Sequence, residues 1–201
     1  MQPFFDTYEI RWFSRQPLPV DPALAFQGEP ETRIDHYLFP SHGRCGVKYR
    51  EGHLETKLQV GPDSDFETAL FRGKAASWTK WTTPREDDGP PVFASNRNAE
   101  GWLAVKKRRW IHCFGWREPG RVGPVGFAEG SRVALEIGEL SGDAGSWWTI
   151  CLESSAEGEQ ERKELLGAAA HYVEQDNWLR EPLSRKDSRS YSALLAELKR
   201  P

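Results

Sequence analysis

The chain has 201 residues, 38% of them hydrophobic and 28% charged, which allows one large globular domain or two small ones and excludes collagen-like and low-complexity classes. A formal net charge of -3, from 27 basic and 30 acidic residues, gives no whole-molecule basic field of the kind that draws nucleic acid nonspecifically, so any anion site has to be local. Nine Trp stand beside a single Met, a balance that favours flat, rigid aromatic packing over an adaptable thioether core.

The first strand is predicted at Thr7 to Phe13, where Tyr8, Ile10 and Trp12 share one face and Glu9 and Arg11 the other. A Pro-rich stretch with a helical turn near Asp21 to Phe26 leads to a second strand, Thr32 to Phe39, ended by Pro40. Gly46 to Arg50 and Leu54 to Val60 read as a hairpin with Gly52 in its turn. The stretch from Gly61 to Gly101 is the least regular, with a short strand at Ser77 to Trp81 and a loop at Asp87 to Pro91. Trp102 to Phe114 is a strand with Lys106-Lys107-Arg108-Arg109 at its centre, followed by a Gly/Pro loop from Gly115 to Gly130. Arg132 to Leu140 and Ser146 to Ser154 form a further hairpin around Gly142 to Gly145. A helix follows at Glu157 to Glu174, and Tyr191, Leu194, Leu195 and Leu198 mark a second amphipathic helix.

Strands with one apolar and one charged face do not suit a sandwich, whose inner faces are both apolar. They suit an α+β protein built on a closed β-barrel with a wet interior, its apolar outer faces covered by helices, over one domain of residues 1–201. Alternation assigns Glu9, Arg11, Arg33, Asp35, Lys48, Arg50, Glu55, Lys57, Lys107, Arg109, Glu136 and Glu153 to faces opposite apolar ones. Basic pairs at i, i+2 from neighbouring strands would make a ring of donors for a polyanion, and interleaved carboxylates a place for Mg²⁺ or Mn²⁺. The competing reading is ordinary solvated sheet faces joined by surface ion pairs. Lys106 and Arg108 remain a rival pair to Lys107 and Arg109, because only parity separates them.

Other residues carry less. Trp78-Thr79-Lys80-Trp81 reads as aromatics of one barrel wall packed against a helix rather than as a base-stacking patch. The five His are scattered without metal-ligand spacing, and neither Ser188 nor Ser190 has a His or acid arrangement that would make it a nucleophile. Cys45, Cys113 and Cys151 lie far apart with no C-x-x-C spacing and read as buried free thiols of a reducing cytoplasm. No N-terminal basic region precedes an apolar run, and no stretch approaches the ~20 apolar residues of a membrane span, so neither membrane nor nucleic acid is an expected partner.

The order of the pieces resembles the CYTH-like superfamily, the triphosphate tunnel proteins that include thiamine triphosphatases, inorganic triphosphatases and class IV adenylate cyclases. Tyr8-Glu9-Ile10-Arg11-Trp12-Phe13 stands at the family's opening strand, Asp35-His36-Tyr37-Leu38 at its Asp-x-Tyr-aromatic strand, and Gly46-Val47-Lys48-Tyr49-Arg50 at its Leu-Arg-Ile-Arg. Leu54-Glu55-Thr56-Lys57, Val105 to Trp110, Val133 to Glu136 and Ile150 to Glu153 follow in the family's order, and Ser190-Tyr191 to Leu195 is similar to its closing Ser-Tyr-x-x-x-Leu. The resemblance spans most of the chain. It implies an eight-stranded antiparallel tunnel that takes a triphosphate-containing small molecule or inorganic polyphosphate. Arg11, Arg33, Lys48, Arg50, Lys57, Lys107 and Arg109 would bind phosphate, Glu9, Glu136 and Glu153 would hold Mg²⁺ or Mn²⁺, and Glu9 and Lys57 would serve catalysis.

The departure lies in the diagnostic Glu-x-Glu-x-Lys, which here reads Glu9, Arg11 and Phe13, and in the last strand, where Cys151 replaces the first Glu of a Glu-x-Glu pair. Fewer carboxylates leave less charge to hold a cation, while Arg11 adds a donor for phosphate. Binding survives that change better than catalysis does, which makes a noncatalytic anion- or nucleotide-binding module the alternative to a metal-dependent hydrolase.

Overall fold

The computed structural model of the protein describes residues 4–39, 42–84, 101–126, 132–143 and 145–198. Among these, nine strands and three α-helices follow one another: β1 (Phe4–Ser14), α1 (Pro22–Ala25), β2 (Glu31–Leu38), β3 (Cys45–Arg50), β4 (His53–Glu67), β5 (Arg72–Pro84), β6 (Trp102–Glu118), β7 (Arg121–Pro124), β8 (Val133–Gly142), β9 (Gly145–Ser154), α2 (Glu159–Gln175) and α3 (Tyr191–Leu198). The strands pair antiparallel in the order β2-β3-β4-β5-β1-β9-β8-β6, and β6 closes on β2 from Glu31↔Arg109 to Leu38↔Trp102. The result is a closed eight-stranded barrel, with β7 pairing outside it along the end of β6. The β3–β4 turn places Glu51 at φ 48 and Gly52 at φ 82, the left-handed pair that a two-residue hairpin turn needs to match strand twist.

Alternation along β1, β8 and β9 builds the main core outside the barrel. Ile10 and Trp12 of β1, Val133, Leu135 and Ile137 of β8, and Ile150 and Leu152 of β9 all point outward and are buried. Against them α2 lays Leu165, Leu166, Ala169, Ala170 and Val173, the spacing of one helical face. Full burial of each Leu stabilises by roughly 1.5–3 kcal/mol, enough for this helix to hold the outer wall. The Trp12 indole also donates Nε1–H to the Arg72 carbonyl at 3.0 Å, so its polar edge is satisfied inside the apolar layer. The expected helical turn forms as α1, with the Asp21 carboxylate accepting the Ala23 N–H at its start.

Three expectations need correction. The stretch from Gly61 is not irregular: β4 continues through a bulge between Val60 and Ser64 to Glu67, and β5 runs from Arg72 to Pro84, while the loop at Asp87 to Pro91 lies outside the described residues. The Gly115 to Gly130 loop instead carries the end of β6 and the whole of β7. Helices cover only part of the outer wall, because Ile34, Leu58 and Val60 on the outward faces of β2 and β4 remain exposed. Cys113 and Cys151 are buried free thiols, whereas Cys45, also free, is only half-buried, and no described helix is long and apolar enough to cross a membrane.

Candidate functional site

The inward faces of the barrel strands are charged, and the register brings the charges together. Arg11 of β1, Arg33 of β2, Lys48 and Arg50 of β3, Lys57 of β4, Lys80 of β5, and Lys107 and Arg109 of β6 line one cavity of about 290 Å³. That volume sits at the small end of ligand sites, which run ~300–1,000 Å³, and favours a compact ligand. Lys106 and Arg108 face outward beside Arg15, Trp147 and Trp148, so the two basic pairs of β6 stand on opposite sides of the wall.

Carboxylates interleave with the cations. Glu136 is clamped, one oxygen 2.6 Å from the Arg11 guanidinium and the other 2.6 Å from that of Arg109. Arg109 also pairs with Glu31, and Arg33 bridges Glu31 at 2.7 Å and Asp35 at 3.0 Å. Asp35 is fully buried and receives Lys107 at 2.9 Å, with Lys48 at 3.9 Å. Glu55 takes Lys48 at 2.8 Å and Arg50 at 2.5 Å. Glu9 and Glu153 are register partners across β1 and β9, and each meets one ammonium at 2.5 Å, Lys57 on Glu9 and Lys80 on Glu153. Among the described residues eight basic side chains thus face six carboxylates, an excess of two basic groups over acidic ones.

Burial and pairing set the protonation states. Burial alone would raise the Glu9 pKa, but Lys57, Lys80 and Arg11 overcome it and hold the group well below the usual carboxylate range. Glu136 behaves alike: burial opposes ionisation, and Arg11, Arg109 and Lys107 more than offset it. Asp35 falls to about 2 because Lys107, Lys48 and Arg33 outweigh its burial. Lys107 moves the other way. Its burial lowers the pKa to about 7, with Asp35 resisting the loss of the proton and Lys48 favouring it.

One end of the lumen is dry. Phe13, Tyr37, Leu103, Val105 and Leu140 turn inward and pack on Leu194 and Leu195 of α3, which plugs the barrel. Tyr191, the first residue of α3, stacks on Tyr37 at 5.4 Å and meets Phe13 edge-on at 5.0 Å. Lys107 and Arg11 lie over its ring at 4.1 Å and 4.6 Å, so the plug's aromatic face also lines the charged cavity. The cavity is a cup with a cationic wall and an aromatic floor.

The donor set does not fit a resident Mg²⁺ or Mn²⁺. Such an ion takes about six oxygen ligands, and the expected carboxylates Glu9, Glu136 and Glu153 are already engaged by Lys57, by Arg11 and Arg109, and by Lys80 respectively. Among the described residues no three His, Cys, Asp or Glu groups are placed to hold a metal ion. The Arg at position 11 turns Glu136 into half of an ion-pair clamp. Glu9 and Lys57, expected to serve catalysis, form a closed pair beside Trp78, whose ring lies 4.4 Å from the Lys57 ammonium.

Several participants escape the sequence reading. Trp78 is not on the helix-covered wall; it alternates with Lys80 and Thr82 on the inward face of β5, a period-2 signal hidden by the surrounding Ser and Thr. Glu31 alternates with Arg33 and Asp35 one residue before the predicted start of its strand. Tyr191 is legible in the sequence as a helix position and part of the closing motif, but its place in the lumen depends on how α3 docks.

No family model and no curated protein matches the chain. Among solved structures it is similar to the PH1819 protein of Pyrococcus horikoshii OT3, at 18% identity and a TM-score of 0.45 over 95% of this chain and 98% of that one.

Proposed function

We propose that this barrel is a CYTH-like tunnel protein whose lumen binds the phosphate chain of inorganic tripolyphosphate or an organic triphosphate. The observation that carries the reading is the convergence of eight cations from six strands into one small cup with net positive charge. Burying paired charges is seldom a stability device, because desolvation costs each ion several kcal/mol and an apolar replacement of the same volume is often neutral or better. A charged interior of this density makes sense if a polyanion enters it and exchanges phosphate oxygens for the carboxylates that hold the cations in its absence. Arg11, Arg33, Arg50 and Arg109 supply forked donors for phosphate, and Lys48, Lys57, Lys80 and Lys107 supply point charges.

Hydrolysis is not part of this reading. A general base works best with a pKa near the operating pH, and the depressed pKa of Glu9, tied to Lys57, makes it a poor proton acceptor. Calorimetric titration with tripolyphosphate tests the function. Binding should weaken at least tenfold in Lys48→Ala and in Arg50→Ala, and stay unchanged in the outward-facing Lys106→Ala/Arg108→Ala variant. Binding should also weaken with added salt, as screening demands. Failure to bind tripolyphosphate at low ionic strength, with or without Mg²⁺, would overturn the reading.

A further inference from the structure

Resting on that reading of the lumen, we propose that the site takes its polyphosphate as the metal-free anion, with the Arg11 guanidinium occupying the place of a bound divalent cation, so that Mg²⁺ competes for the ligand rather than assisting it. Register places the relevant groups in two neighbouring rows across β1, β9 and β8. One row reads Arg11, Cys151, Glu136 and the next Glu9, Glu153, Ala134. The Arg11 guanidinium reaches across Cys151 to bond Glu136 at 2.6 Å and the Thr149 hydroxyl at 3.2 Å, so a cation already occupies the Glu136 carboxylate. A metal would have to evict this cation to join the two carboxylate sets. Cys151, between Arg11 and Glu136 in register, offers no suitable ligand, since a hard cation such as Mg²⁺ or Mn²⁺ takes oxygen donors and a thiol is a soft one.

The same residues hold unused capacity for oxygen acceptors. The Nε–H groups of Arg11 and Arg109 and the Tyr191 hydroxyl are buried without a hydrogen-bond partner among the described residues, although all three residues line the cavity. Buried donors are normally satisfied, so unspent ones in a cavity wall point to a ligand rich in acceptors. Phosphate oxygens meet that description. Free tripolyphosphate brings its full negative charge to an excess of positive charge. Its Mg²⁺ complex brings two fewer negative charges, a cation that meets Arg11, Lys57 and Lys80, and water that Mg²⁺ releases reluctantly.

Two measurements test this. Calorimetry in EDTA should show tripolyphosphate binding that falls at least tenfold when Mg²⁺ is in excess over the ligand, and electron paramagnetic resonance should find Mn²⁺ unbound by the protein alone. Arg11→Glu should lose at least tenfold of the metal-free affinity and gain Mn²⁺ binding, while Arg11→Lys, which keeps the charge but not the forked donors and guards against misfolding of the first variant, should lose less of the metal-free affinity than Arg11→Glu and gain no Mn²⁺. Tripolyphosphate binding that requires or is tightened by Mg²⁺ or Mn²⁺, or Mn²⁺ bound by the unaltered protein, overturns the inference while leaving the phosphate reading intact. No binding under either condition overturns the phosphate reading, and this inference with it.

Discussion

Asp35→Asn should destabilise the protein by about 3 kcal/mol at neutral pH, because Asp35 is the fully buried anion that holds Lys107, Arg33 and Lys48 in the barrel wall. Two routes reach that magnitude. The fall of its pKa from 3.8 to about 2 corresponds to ~2.5 kcal/mol at 1.36 kcal/mol per pH unit. Breaking a buried pair by removing one partner typically costs ~3–5 kcal/mol. For a chain of this length the loss appears as a fall of roughly 6–12 °C in Tm. The pH dependence has a definite sign. A carboxylate whose pKa is lower in the folded state contributes fully above its ordinary value of 3.8 and loses that contribution as pH falls through about 2, so the gap between the two proteins closes on acidification. Lys107 adds a second slope: with its anion removed it sheds its proton more easily, so the gap narrows as pH rises through about 7. Urea melts followed by Trp fluorescence should show the widest gap at roughly pH 5–6. A difference below ~0.5 kcal/mol at neutral pH, the size of an ordinary surface substitution, or a gap that widens below pH 4, would refute the reasoning.

Other outcomes follow from separate parts of the molecule. Leu166→Ala, at a fully buried position of α2, should cost ~2–5 kcal/mol in the same melts, from the lost apolar burial and the cavity that truncation leaves in the outer core. Gly73→Ala should cost about 1–3 kcal/mol and expose the segment after residue 184 to proteolysis, because a Cβ there would lie 2.7 Å from the Cβ of Ser188 and 2.9 Å from Ile10 Cδ1. Tripolyphosphate affinity should fall as pH rises through about 7, where Lys107 loses its charge; Lys107→Met should bind more weakly at pH 6 and lack that part of the pH slope, as calorimetry across pH would show.

The sequence carries the barrel's inner face more clearly than its closure. Period-2 alternation puts Glu9, Arg11, Lys48 and Arg50 on faces opposite apolar residues but leaves Lys106 and Arg108 as rivals to Lys107 and Arg109, and the structure places Glu9, Arg11, Lys48, Arg50, Lys107 and Arg109 on one cavity wall. It does so because the outer wall of β1, β8 and β9 must be apolar to receive α2, which forces the charged residues inward. Alternation cannot say which strands meet, and the β2–β6 pairing joins segments some seventy residues apart with no local signal. The long strands β4 and β5 are obscured where Gly61, Pro62 and a run of Asp and Ser imitate turn chemistry around a bulge. At the site, the substitution at Arg11 is visible in the sequence, but its consequence is not. The clamp on Glu136 requires Arg11 and Arg109 to approach the carboxylate from opposite sides, a convergence of β1, β6 and β8 that only tertiary structure supplies.

A crystal structure of the protein with tripolyphosphate in the presence of EDTA tests the central claim most directly. The account predicts a phosphate chain in the lumen, within hydrogen-bond reach of Arg11, Lys57 and Arg109, with no metal peak beside it. Phosphate bound instead at the outward Lys106 and Arg108 face, or a chain that enters the lumen only when Mg²⁺ or Mn²⁺ bridges it to Glu9, Glu136 and Glu153, would contradict it.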